Sequence, residues 1–223
     1  MPRRLRPTAA TAPDAVLVGD PGRALLLAQE LLAQPKMSNH ARGLWGYYGS
    51  TPGGRPLTIQ STGMGGPSAA LVLDDLAELG VRRAVRVGTC VGLSPSRAPG
   101  DLLLVRAAIA AGASATSLGV ALGAAVAPDA DLTERLEAEL GDDCDLAVIA
   151  SVDAQPAAAA DNAGAIAADM QTAPLLARAA ALQVGLAALL IVNEQGSGAR
   201  LEQEDLEQRE KRAGRAASHV LSG

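Results

Sequence analysis

Two short segments carry residue types suited to holding a tetrahedral oxyanion. Gly19-Asp-Pro-Gly-Arg23 sets backbone N–H groups beside a cation, and Arg86-Val-Gly-Thr89 adds a second cation, a glycine that permits close approach, and a hydroxyl. A guanidinium offers a planar fork to two oxygens, and each charge-assisted hydrogen bond is about twice as strong as a neutral one. Both arginines occupy costly positions. Arg23 opens a helix, where a cation opposes the helix dipole by roughly 0.3–1 kcal/mol. Arg86 lies between Val85 and Val87 in a run that is otherwise apolar. The cost at Arg23 asks for a reason, and the setting of Arg86 asks for an anion partner. No Walker sequence and no G-x-G-x-x-G is present, so the standard cradles for nucleoside triphosphates and dinucleotides are missing.

Other reactive side chains have plainer readings. Cys90 and Cys144 with His40 and His219 match no zinc spacing, so neither a metal nor an organic cofactor is expected. Cys90 follows Thr89 in a buried turn and reads as a small core residue rather than a nucleophile. His40 reads as an exposed loop residue close to Arg42. Glu202 to Arg215 reads as a solvated helical face that brings charge but no chemistry. Two cysteines in 223 residues are too few for a disulfide-built scaffold, and reduced thiols in a cytoplasm are the default expectation.

These residues must be positioned by an alternation of strands and helices. Ala15–Val18 is an apolar run that ends in the glycine turn, and Arg23–Ala33 carries leucines at helical spacing. Trp45–Ser50 and Leu57–Thr62 flank the turn cluster Thr51-Pro-Gly-Gly54 and read as a hairpin. Gly63-Met-Gly-Gly-Pro-Ser68 leads into a helix over Ala69–Leu79, with Pro67 in its first turn and Gly80 at its end. Strands follow at Arg83–Val87, Asp101–Ala108, Leu146–Ser151 and Leu186–Asn193. Helices follow at Leu132–Leu140, Ala173–Leu182 and Leu201–Leu221. Ala107–Ala127 is uncharged after Arg106, but it is built from Ala, Gly and Ser and reads as a buried strand pair rather than a membrane span. Residues 1–13 read as a flexible N-terminal arm without the apolar stretch of a signal peptide, and 14–223 as one α/β domain. In open α/β sheets ligands bind where strands hand over to helices.

Composition narrows the partners. Nineteen Lys and Arg stand against 24 Asp and Glu, a net charge of −5, so no basic field draws in nucleic acid. With one Trp, two Tyr and no Phe, the stacking platforms of single-strand binders cannot be assembled.

The motifs, taken in order, resemble the nucleoside phosphorylase-I family of purine nucleoside and uridine phosphorylases. Gly19-Asp-Pro-Gly-Arg23, Asn39-His-Ala-Arg-Gly43, Ser61-Thr-Gly-Met-Gly-Gly-Pro-Ser68, Arg86-Val-Gly-Thr-Cys90, Asp169-Met-Gln-Thr-Ala173 and Ile191-Val-Asn-Glu194 look like its successive signatures. The resemblance implies a single α/β domain with a twisted mixed, partly barrel-like sheet flanked by helices. It also implies a homodimer or homohexamer with shared active sites. It assigns phosphate binding to Gly19, Arg23, Arg86 and Thr89, with Arg42 reaching into a neighbour's site. Met64, Met170, Gln171 and Asn193 would meet the nucleoside, and Glu194 would protonate the leaving base while Arg86 supports catalysis. Inorganic phosphate is then a co-substrate.

Departures cluster at the base and ribose. Gln171 stands where the family has a Glu for the ribose hydroxyls, so Gln171→Glu is expected to raise turnover. Glu194 replaces an Asp, Gln155 and Pro156 stand where an aromatic stacks on the base, and no N-terminal His is present. A purine nucleoside phosphorylase with weakened activity is the first reading. A uridine phosphorylase, a nucleosidase of the same fold and a non-catalytic phosphate or nucleoside binder are the alternatives.

Overall fold

A computed structural model describes residues 2–154, 164–196 and 198–223. The chain runs β1 (Asp14–Val18), α1 (Pro21–Leu31), β2 (Ala33–Asn39), β3 (Gly46–Ser50), β4 (Pro56–Ser61), α2 (Gly65–Glu78), β5 (Arg83–Gly92) and β6 (Leu102–Ala110). It continues through α3 (Ala113–Thr116), β7 (Ala125–Val126), α4 (Ala130–Leu140), β8 (Asp145–Ser151), β9 (Ala167–Asp169), α5 (Thr172–Leu182), β10 (Gly185–Gln195) and α6 (Gln203–Ser222). A 3₁₀ turn over Ala41–Gly43 separates β2 from β3.

The strands form one mixed sheet in the order β10-β6-β8-β9-β5-β1-β4-β3-β2, and β10 pairs back onto β5. That second pairing closes β5, β9, β8, β6 and β10 into a small barrel, from which β1, β4, β3 and β2 extend. The expected partly barrel-like mixed sheet is therefore the observed one.

Period-2 alternation divides the core into two layers. Ala15 and Leu17 of β1 face the layer shared with α2 and α5, whereas Val16 and Val18 face the layer shared with α1, α4 and α6. Helix starts are set by local chemistry. Asp20 caps α1 by accepting from Arg23 N at 2.9 Å, and Asp129 caps α4 by accepting from Leu132 N at 2.9 Å.

Several expectations need correction. The N-terminal segment is not a free arm: Arg3, Arg4 and Leu5 donate backbone N–H bonds to the buried Asp75 carboxylate at 3.1, 2.5 and 2.8 Å. Arg6 N donates to Asn39 Oδ1 at 2.8 Å and Ala12 N to Thr58 Oγ1 at 2.8 Å, so the segment is laced to α2, β2 and β4. Burial alone would raise the Asp75 carboxyl, but the three N–H groups and Arg4 together hold it below its ordinary value. Within Ala107–Ala127 only the ends pair, Ala108 with Val126 and Ile109 with Ala125, and the one-turn α3 fills the interval. Strands β2 and β9 were not anticipated. β2 is a sheet edge exposed through Met37, where Pro35 and Lys36 are tolerated and no apolar alternation is required.

Candidate active site

The glycine turns converge on a cleft of about 400 Å³ at the carboxyl ends of β1, β5 and β10. Gly19 and Arg23 come from the β1–α1 turn, Met64 from the β4–α2 turn, Arg86 and Thr89 from β5, Met170 and Gln171 from the β9–α5 turn, and Asn193 and Glu194 from β10. All nine line it. Arg42 does not: it is exposed in the 3₁₀ turn with φ 61° and lies outside the walls of this cleft. Gln155 and Pro156 lie outside the described residues.

Arg86 was expected to have an anion partner, and within the chain that partner is Asp169. Arg86 is only 4% exposed, and its Nη2 donates to Asp169 Oδ2 at 3.0 Å. Nε donates to Thr172 Oγ1 at 3.1 Å and Nη1 to Gln171 Oε1 at 2.7 Å. These bonds fold the side chain back over Gly88, where a Cβ would fall 2.6 Å from Nη2, so glycine is required there. Burial lowers the Arg86 pKa, opposed by Asp169 and reinforced by the like charge of Arg23. Three of the five guanidinium donors are thus committed to the protein. Asp169 is equally occupied, accepting also from Ser151 Oγ at 2.6 Å, Thr172 Oγ1 at 2.6 Å and Thr172 N at 3.0 Å.

Gln171 belongs to the same network. Its Oε1 accepts from Arg86 and, at 3.3 Å, from Thr62 Oγ1, while its Nε2 donates to Gly63 O at 2.6 Å and Gly65 O at 3.3 Å. The cation fixes the amide orientation, because the reverse would turn an NH₂ toward a guanidinium. Gly63 and Gly65 have φ of 73° and 80°, a backbone that other residues adopt only with strain. Gln171 clamps this turn, which presents Met64 to solvent at 86% exposure. Both ends of the Gln171 amide are thus engaged by the protein, although the residue lines the cleft.

Arg23 is also paired. Its Nε donates to Glu210 Oε1 of α6 at 2.5 Å, which supplies the partner that a cation at a helix start requires. Arg23 and Arg86 thus each carry a carboxylate partner within the chain. Their remaining N–H groups, with Thr89, are the donors left for an oxyanion.

Along β5 and β10 the register places Thr89 opposite Ile191 and Val91 opposite Glu194, with a bulge at Asn193. Glu194 therefore lies about two residues, or roughly 7 Å, beyond Thr89 along the strand pair. The Glu194 carboxylate accepts from Arg200 Nε at 2.9 Å. Arg200 was not anticipated, because it stands in the turn after β10 and outside every motif. Cys90 is a buried core thiol as expected, and burial pushes its pKa up, which leaves it a poor nucleophile. Among the described residues, no group of three or more His, Cys, Asp or Glu is placed to hold a metal. No helix among them is long and apolar enough to cross a membrane.

The sequence profile of the Phosphorylase superfamily matches residues 13–223. The chain belongs to the phosphorylase superfamily. It is 37% identical over 94 residues to a DeoD-type purine nucleoside phosphorylase of Oceanobacillus iheyensis, covering 42% of this chain and 40% of that one. It is 36% identical over 95 residues to a uridine phosphorylase of Haemophilus influenzae, covering 43% and 37%. The matched stretch is thus well under half the length of these relatives. The fold is similar to that of the crystal structure of uridine phosphorylase from Vibrio fischeri ES114, with a TM-score of 0.83 at 19% identity over 95% of this chain and 92% of that one. Superfamily membership agrees with the resemblance drawn from the motifs.

Proposed function

We propose that the protein is a nucleoside phosphorylase, cleaving the N-glycosidic bond of a nucleoside with inorganic phosphate to give free base and ribose 1-phosphate. The observation that carries this reading is one cleft in which two guanidinium groups and Thr89 adjoin, farther along β5 and β10, the Glu194 carboxylate, which Arg200 meets from outside the cleft lining. The first set suits an oxyanion. The second suits a leaving base that must take up a proton.

In this scheme a phosphate oxygen attacks C1′ as the C1′–N bond breaks, and the bonding electrons move onto the base. The sugar carries cationic charge in passing, which the bound phosphate stabilises. The step requires Glu194 in its acid form: its proton passes to the departing base and the carboxylate that results pairs with Arg200, and general-acid help of this kind contributes about 10²–10⁴-fold. Met64 and Met170 offer thioether surface to the pentose, and Asn193 at the bulge supplies an amide beside the base. A carboxylate at the base end favours a purine. Arg42 of a second copy would complete the phosphate site in a homodimer or homohexamer. On this reading the protein acts in the cytoplasm, the compartment that suits two unpaired cysteine thiols.

A second reading, a non-catalytic phosphate or nucleoside binder, is favoured by one observation: the hydrogen-bonding capacity of Asp169 and Gln171 is spent inside the protein. Phosphate-dependent base release measured across purine and pyrimidine nucleosides separates the two, since only an enzyme forms ribose 1-phosphate. Release that proceeds without phosphate would identify a nucleosidase instead. Glu194→Gln is expected to abolish purine turnover while leaving phosphate affinity unchanged.

A further inference from the structure

The charged helix α6 carries one residue that this scheme does not use. Glu210 lies in the seam between α1 and α6, where it and Arg23 are 5% and 10% exposed across their 2.5 Å contact. Its face continues through Ala213, Gly214 and Ala217, all buried. A Cβ on Gly214 would fall 2.7 Å from Leu27 Cδ2, so α6 is pressed onto α1 and the carboxylate has little room to turn away. Glu210 does not line the substrate cleft. It borders a separate cavity of about 480 Å³ together with Asp20, Arg23 and Glu207, which gives it a route for proton exchange of its own.

We propose that Glu210 is a positioning residue that regulates the anion affinity of the cleft by competing with phosphate for the charge of Arg23. This rests on the reading that Arg23 holds the anion. The Glu210 bond takes Nε and orients the guanidinium, leaving the terminal amino groups for an oxyanion. While Glu210 is ionised, an arriving dianion meets a neutralised pair. When it is protonated, the dianion meets a full cation whose orientation the hydrogen bond still holds. The charged groups that face Glu210 are Arg23 and Asp20 from the start of α1 and Glu207 from α6 itself. Burial pushes the Glu210 carboxyl up, Arg23 pulls it back, and Asp20 and Glu207 add to the rise. With its folded value above the ordinary one, anion affinity rises as pH falls through that value.

Sulfate titration calorimetry tests this, because sulfate stays a dianion where carboxylates titrate and phosphate does not keep one charge. Glu210→Gln keeps an acceptor for Nε without the charge. It should bind sulfate about tenfold more tightly at neutral pH, the size expected for one unit charge near a dianion at an effective dielectric between protein and water. Its affinity should be flat across the carboxylate range, while the wild-type protein tightens toward it as pH falls. Glu210→Ala, which loses the orienting bond, should bind more weakly than Glu210→Gln. Equal wild-type and Glu210→Gln affinities, or a flat wild-type profile, would overturn the proposal whether or not the variants fold. Sulfate binding that survives Arg23→Ala unchanged, or no binding by any of the proteins, would instead overturn the anion-site reading and this proposal with it.

Discussion

Gln171→Glu is a substitution for which residue type and three-dimensional setting predict effects of opposite sign. By residue type alone, a carboxylate at 171 restores a charge facing the sugar and should raise turnover. The structure argues for a loss. Nε2 donates to the carbonyls of Gly63 and Gly65, and a carboxylate has no hydrogen to offer either one. Two neutral hydrogen bonds are worth about 1 kcal/mol each, and the half-buried carbonyls that lose them add a similar desolvation cost. Against this, Oε1 gains a charge-assisted contact with Arg86, which strengthens that bond by about 1 kcal/mol. The balance is a loss of about 2 kcal/mol. At about 2–4 °C per kcal/mol for a chain of this size, thermal unfolding should begin about 4–8 °C lower.

The catalytic consequence follows from the turn that Gln171 clamps. Gly63 and Gly65 sit in left-handed backbone, and without the amide little holds Met64 over the cleft. On the proposed function, phosphorolysis of ribonucleosides should therefore fall in Gln171→Glu, whereas phosphate affinity, which that proposal assigns to Arg23 and the remaining Arg86 donors, should change less. Differential scanning calorimetry and initial-rate kinetics measure the two effects. An unchanged Tm together with faster turnover of ribonucleosides would refute the clamp and return Gln171 to direct contact with the sugar.

Arg86→Ala should be costly beyond any effect on phosphate, because it leaves Asp169 as a buried carboxylate without its cation, at about 3–5 kcal/mol; adding Asp169→Ala should restore part of that loss in chemical denaturation. Asp75→Asn should release the N-terminal segment, seen as faster hydrogen exchange at Arg3 to Leu5. The same loosening should appear in the wild-type protein under acid. Its folded pKa is depressed, so the contribution is complete above the ordinary carboxylate value and is lost as pH falls through the depressed one. Arg42→Ala should reduce turnover and phosphate affinity with little change in Tm, since the side chain is exposed. Sedimentation should show a dimer or hexamer, and a fully active monomer would remove Arg42 from the site.

What could be read from the sequence follows what each element owes to local rules. The glycine turns, the capped helices and the apolar strands were legible because turn chemistry and periodicity act over a few residues. Strand β2 was not, because an edge strand needs no alternation, and Pro35 argues against a strand everywhere except at an edge. The docked N-terminal segment was not, because its stability comes from one carboxylate about seventy residues away. Nine of the candidate site residues meet in one cleft because most lie toward the carboxyl end of a strand or in the turn that follows it, where topology collects them.

Partner identity is the step that residue type could not supply. The unusual settings of Arg23 and Arg86 were visible, and an anion partner was expected for Arg86, but a protein carboxylate satisfies that demand as well as phosphate does. Asp169 adjoins Met170 and Gln171 in a motif already singled out, so its pairing was open to anticipation. Glu210 carried a subtler signal. It stands at i, i+3, i+4 and i+7 with Ala213, Gly214 and Ala217, one charge on a stripe of small residues that marks the packed face of α6. A carboxylate on such a stripe must find a cation on a helix it packs against, and α1, which α6 packs against, carries Arg23 in its first turn.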